Sequence, residues 1–168
     1  MINVTFENIN VSTDTFMCRE VYCFRPLTGI LCWLTPMQVN HQTAGIHIKS
    51  PPGRGGIITN ITYRNITMNN VRQCILVGVG GNGCNKTALP LASNILFENV
   101  RCNEGSTSSY DLQGANRSFP IENMRFVNVT MAPGVKKQAN CKAIDCTCDA
   151  LTSPCPSCCK KEDSTGGR

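Results

Sequence analysis

Apolar residues recur at every second position in four short stretches of this chain. They run from Asn3 to Ile9, Asn60 to Ile66, Asn94 to Val100 and Asn123 to Val129, and share the pattern Asn-apolar-x-aromatic-x-Asn-apolar. Alternation of this kind predicts short strands with one buried face. The copies begin 57, 34 and 29 residues apart, with further apolar runs at Ala44–Ile48 and Val71–Val77 between them. Helical periodicity is absent almost throughout. Short strands, Gly- and Asn-rich turns and one recurring register predict a right-handed parallel β-helix, in which each coil stacks on the last. The recurring second Asn (Asn8, Asn65, Asn99, Asn128) then forms a ladder of stacked amides. An antiparallel β-sandwich would require the likeness among the four strands to be accidental. A leucine-rich repeat fits worse, because its Leu spacing and helix-forming half are missing.

The pattern divides the chain into four parts. Residues 1–15 read as a strand of the solenoid, 44–140 as its coils, and 141–168 as a Cys-rich C-terminal cap followed by a disordered tail. Residues 16–43 read as an atypical insertion with no β alternation, no Asn repeat, three cysteines and the only Trp. Two origins stand open for it: a retained intron or gene-model error, and a genuine loop stapled by Cys18, Cys23 or Cys32.

Composition narrows the function classes. The chain has 168 residues, enough for one domain, with 41% hydrophobic and 16% charged residues. Its formal net charge of +5 comes from scattered cations, not from a Lys/Arg stripe with stacking aromatics, so no nucleic-acid partner is expected. No run approaches the roughly 18 to 20 apolar residues of a membrane helix, so no membrane partner is expected. This sequence does not open with a signal peptide. Twelve cysteines and seven Asn-x-Ser/Thr sequons, at Asn3, Asn10, Asn60, Asn65, Asn85, Asn116 and Asn128, nevertheless favour a secreted protein, extracellular or in a cell wall. Several of those sequons lie in strand-like stretches, where Asn and Thr also serve the fold.

Several motifs resemble cofactor sites and are better read otherwise. Gly53-Arg54-Gly55-Gly56 lacks the Lys-Ser/Thr and helix of a phosphate loop. The Gly-rich stretch Gly78 to Gly83 has no following helix or acidic partner and reads as a loop between coils. Cys155-Pro156-Ser157-Cys158 has no second pair at finger spacing and no nearby His, so a disulfide-stapled cap is favoured over a zinc knuckle. No cofactor and no metal are expected.

The segment Ile46-His47-Ile48-Lys49-Ser50-Pro51-Pro52-Gly53-Arg54-Gly55-Gly56 resembles the Arg-Ile-Lys-Thr-x-Pro-Gly-Arg-Gly-Gly block of glycoside hydrolase family 28, the polygalacturonases and related pectinases. Residues 57–77 and Thr87-Ala88-Leu89-Pro90 are similar to the family's plant-type members, and the Cys141–Cys155 region resembles the family's Cys-containing closing segment. The resemblance covers only the family's C-terminal part. It implies a parallel β-helix and inverting hydrolysis of α-1,4-galacturonosyl bonds in pectin, a polygalacturonate substrate, and a monomeric full-length form.

Inversion needs a carboxylic acid on the leaving oxygen and a carboxylate that activates water. The family's Asn-Thr-Asp, Asp-Asp and Gly-His-Gly motifs are all missing here. Ser12-Thr13-Asp14 and Asn40-His41-Gln42 do not replace them, and no close aspartate pair stands among Asp14, Asp111, Asp145, Asp149 and Asp163. No catalytic residue is therefore assigned. By alignment the chain starts just after the catalytic coils, and it is expected to be inactive as written. The resemblance assigns substrate binding to His47 and Lys49, which lie two apart on one strand and so share a face. Lys49 keeps the cation an acidic sugar needs. His47 replaces the Arg, lacks its bidentate fork and is charged only below roughly pH 6.5. The alternative reading is a non-catalytic carbohydrate-binding or cell-wall interaction protein.

Overall fold

The computed structural model describes residues 4–8, 10–12, 19–24, 31–36, 44–50, 56–79, 89–103, 106, 108–136 and 140–162. Their regular structure is entirely β. One parallel sheet contains β1 (Val4–Glu7), β2 (Asn10–Ser12), β6 (Ile57–Asn69), β8 (Leu91–Cys102), β10 (Ile121–Met131), β12 (Ile144–Cys148) and β13 (Lys160–Lys161). A second parallel sheet contains β5 (Ala44–Lys49), β7 (Gln73–Gly78), β9 (Ser108–Gln113) and β11 (Asn140–Lys142). From β5 onward the chain alternates between the sheets up to β12, and each strand pairs with the one a full turn later. That is a parallel β-helix, as the repeat predicts.

Asparagine makes the corners. Asn8, Asn60, Asn65, Asn70, Asn94, Asn99, Asn123 and Asn128 all have φ between 51 and 57°, a left-handed conformation that Asn tolerates better than other residues with a Cβ. Their side chains stack from coil to coil. Asn65 Nδ2 donates to Asn8 Oδ1 at 3.2 Å, Asn99 to Asn65 at 3.1 Å and Asn128 to Asn99 at 2.8 Å. A second ladder runs from Asn123 to Asn94 to Asn60, at 2.7 and 3.2 Å. The first Asn of the repeat thus builds a ladder as well as the second.

The repeated aromatic fills the interior beneath these corners. Phe6, Tyr63, Phe97 and Phe126 stack with centroids 4.9, 5.4 and 5.1 Å apart, each pair adding roughly 0.5–1.5 kcal/mol beyond its burial. The stack stops where Cys148 pairs with Phe126 in register, and Cys148 is bonded to Cys155. Apolar columns complete the core: Ile61, Ile95 and Met124 in the first sheet, Ile48, Val77 and Leu112 in the second. Cys74 of β7 is bonded to Cys102 of β8, tying the two sheets together through the interior.

The cap closes the last coil. Cys141 pairs with Cys158 and Cys146 with Cys159. Asp149 accepts from the backbone N–H of Asn128 at 3.0 Å and from Thr152 N at 2.9 Å, so a carboxylate receives the solenoid at the corner where the longer Asn ladder ends. Tyr110 of β9 donates its hydroxyl to Pro154 O at 2.9 Å. Burial pushes its phenol above the ordinary tyrosine range.

Within residues 16–43, two described segments are strands. β3 (Arg19–Phe24) and β4 (Leu31–Pro36) form an antiparallel hairpin that pairs Tyr22 with Trp33 and Cys23 with Cys32. These stretches are rich in the aromatic and β-branched residues that favour strands. An antiparallel pair outside the solenoid needs no alternation with the coil period. Passages from the first sheet to the second take three, five and eight residues elsewhere, but 31 between β2 and β5.

Candidate functional site

Strand β5 turns Ile46 and Ile48 into the core, at 3% and 6% exposure, and His47 and Lys49 outward. At its start, a Cβ on Gly45 would run into the buried side chain of Met68, so a larger residue there would force Met68 of β6 to move. His47 is half-buried and Lys49 exposed. The two residues that sequence reasoning singles out therefore do share one face.

Register extends that face across the sheet. His47 is in line with Leu76 of β7, Asp111 of β9 and Asn140 of β11. Lys49 is in line with Gly78, Gln113 and Lys142. Inward neighbours Ile75, Val77, Tyr110 and Leu112 are all buried, which sets the alternate positions outward. Gln113 Nε2 donates to Asp111 Oδ1 at 2.9 Å and orients that carboxylate. Ser108 Oγ donates to Gln73 Oε1 at 2.9 Å, while Gln73 Nε2 is buried with no hydrogen-bond partner among the described residues. Neither Lys49 nor Lys142 forms an ion pair with a described residue.

The carboxylates are distributed unfavourably for two-acid hydrolysis. Among the described aspartates only Asp111 lies on this face. Asp145 is on β12 of the other sheet and Asp149 is engaged in the cap. Asp14, His41, Asp163 and residues 51–55 of the Gly-rich block lie outside the described residues, as do residues 80–88. Gly56 ends that block with φ of 98°, a conformation open to glycine. Asp111 and Gln113 are the members of this surface that motif reasoning passes over. The signal for them was the alternation of buried Tyr110 and Leu112, which puts the intervening residues outward.

A metal site in the tail is the other candidate. The Sγ atoms of Cys146, Cys158 and Cys159 lie within 4.8 Å of one another. All three are in disulfides, and a bonded sulfur has no thiolate to offer a metal.

The described residues thus form an Asn-cornered parallel β-helix whose second sheet carries Lys49 and Lys142 on its two outermost strands. The family model for glycosyl hydrolases family 28 matches residues 32–155, and the chain belongs to that family. The match begins at Cys32, within the hairpin. No curated protein and no solved structure gives a significant match. Among the described residues, no helix is long and apolar enough to cross a membrane.

Proposed function

We propose that this chain is a polygalacturonase-type member that holds pectic polygalacturonate on the outward face of β5, β7, β9 and β11 and does not itself cleave it. The supporting observation is Lys49, exposed beside His47 on a strand within the family match and without an ion-pair partner among the described residues. A lysine ammonium in that position suits a sugar carboxylate. Inverting hydrolysis requires two carboxyl groups on opposite sides of the bond, roughly 6.5–9.5 Å apart. The described part of this face carries one, Asp111. Secretion to a pectin-containing wall accords with the disulfide-rich cap.

Calorimetric titration of the chain with oligogalacturonides, run beside a reducing-end assay on polygalacturonate, tests this. Saturable binding that weakens in Lys49→Ala, with no release of reducing ends, is the expected outcome. Hydrolysis by the pure chain overturns the non-cleaving reading, and absence of binding overturns the substrate face. Binding without turnover also fits a dedicated cell-wall interaction protein. That second reading is favoured if a longer transcript encoding the family's acidic motifs does not exist.

A further inference from the structure

Charge changes sign along the outward face. The exposed cation Lys49 on β5 is followed by Leu76 and Gly78 on β7, then Asp111 and Gln113 on β9, then Asn140 and Lys142 on β11. Adjacent strands lie about 4.8 Å apart, so β9 is about 10 Å from β5. At physiological ionic strength charges are screened over about 8 Å, so Lys49 and Asp111 each act on the sugar directly above them. The strand spacing is close to the length of one hexuronate residue in an extended glycan. Lys49 is in line with Gln113, and Asp111 lies two residues back along β9 in line with His47, so a glycan that reaches both crosses the strands obliquely.

Asp111 is not free to swing aside. It is half-buried, and Gln113 Nε2 donates to its Oδ1 at 2.9 Å. A carboxylate held in this way accepts hydrogen bonds from sugar hydroxyls and repels an ionised uronate. On the intervening strand β7, Leu76 stands beside Asp111 in register and presents a half-buried apolar side chain. Gly78 leaves space, since a Cβ there would meet nothing nearer than Leu76 Cδ2 at 3.8 Å.

We infer that Asp111, oriented by Gln113, is a specificity-determining residue that makes this face select a partly methyl-esterified galacturonan, with an ionised uronate over Lys49 and an uncharged uronate ester two residues along. This rests on the reading of Lys49 as the contact for a sugar carboxylate. The ester removes the charge that Asp111 rejects, keeps the hydroxyls it accepts from, and adds a methyl group near Leu76.

The full chain is titrated with fully de-esterified and partly methyl-esterified oligogalacturonides of equal length, at low and high salt. The wild type binds the esterified probe about fivefold more tightly, the size of one like-charge contact near water. Asp111→Asn removes that preference by tightening binding of the de-esterified probe, and Asp111→Lys reverses it. The preference shrinks as salt rises, which a purely structural role of Asp111 would not produce. Circular dichroism confirms that each variant retains its β-structure. If Lys49→Ala weakens both probes while the wild type shows no preference, or Asp111→Asn leaves the preference unchanged, this inference fails and the underlying reading stands. If Lys49→Ala leaves both affinities unchanged, or the folded wild type binds neither probe, the underlying reading fails and this inference with it.

Discussion

Asn99 donates its side-chain amide to Asn65 Oδ1 at 3.1 Å across one full coil, with both backbones in the left-handed region at φ of 53°. The same amide group accepts from Asn128. One residue type therefore satisfies two demands at this corner: it tolerates the turn and it links the coils.

Replacing Asn99 separates those demands. Asn99→Ala keeps a Cβ in a conformation costing roughly 1–2 kcal/mol and removes two ladder bonds, each contributing about 0.5–1 kcal/mol at this exposed site. The expected loss is about 2–4 kcal/mol in urea denaturation. Asn99→Gly tolerates the turn and should lose roughly half as much. Equal losses in the two variants would show that the left-handed backbone contributes nothing.

The Cys74–Cys102 bond closes a 28-residue separation between fully buried side chains. Chain-entropy reasoning assigns such a loop about 3–4 kcal/mol. The Cys74→Ala/Cys102→Ala variant should lose that much, read as a lower midpoint in denaturant. Removal of Cys148 and Cys155, whose separation is only 7 residues, should cost less on the same model. The reverse order would show that core packing around the sulfurs, and not loop closure, sets the difference.

Tyr110 makes stability fall at alkaline pH. Its phenol is raised by burial, so above the ordinary tyrosine value of about 10 the unfolded chain releases a proton that the folded chain retains. The contribution is fully present below that value and is lost as pH rises through it toward the folded value. Thermal melts between neutral and strongly alkaline pH should show a decline that is reduced in Tyr110→Phe. That variant also loses the bond to Pro154 O, about 1 kcal/mol at neutral pH. An identical alkaline decline in both proteins would assign it to other groups.

The ladder restricts glycosylation. Asn65 and Asn128 carry sequons, but their Nδ2 atoms donate within the ladder, and that nitrogen is where a glycan attaches. Asn116 is exposed in a turn, where its Oδ1 accepts from Ser118 N and Phe119 N. Folded protein from a secretory host should carry glycan at Asn116 and none at Asn65 or Asn128, checked by glycopeptide mass spectrometry. Occupancy at either ladder position in folded protein would contradict the ladder.

What the sequence determined by itself is the repeating part of the molecule. A β-strand sends alternate side chains to opposite faces, so the inward setting of Phe6, Tyr63, Phe97 and Phe126 and the shared face of His47 and Lys49 follow from local spacing. Local spacing also carries the resemblance that the family match supports. The tertiary structure decided what depends on which coil lies beside which. Connections between coils vary in length, so the register that aligns His47 with Leu76 and Asp111 cannot be counted along the chain. The six cysteines of the tail allow fifteen pairings, and only the closing of the last coil brings Cys141 to Cys158, Cys146 to Cys159 and Cys148 to Cys155. Even the β3–β4 hairpin escaped the pattern, because its antiparallel partners satisfy each other and owe nothing to the period of the solenoid.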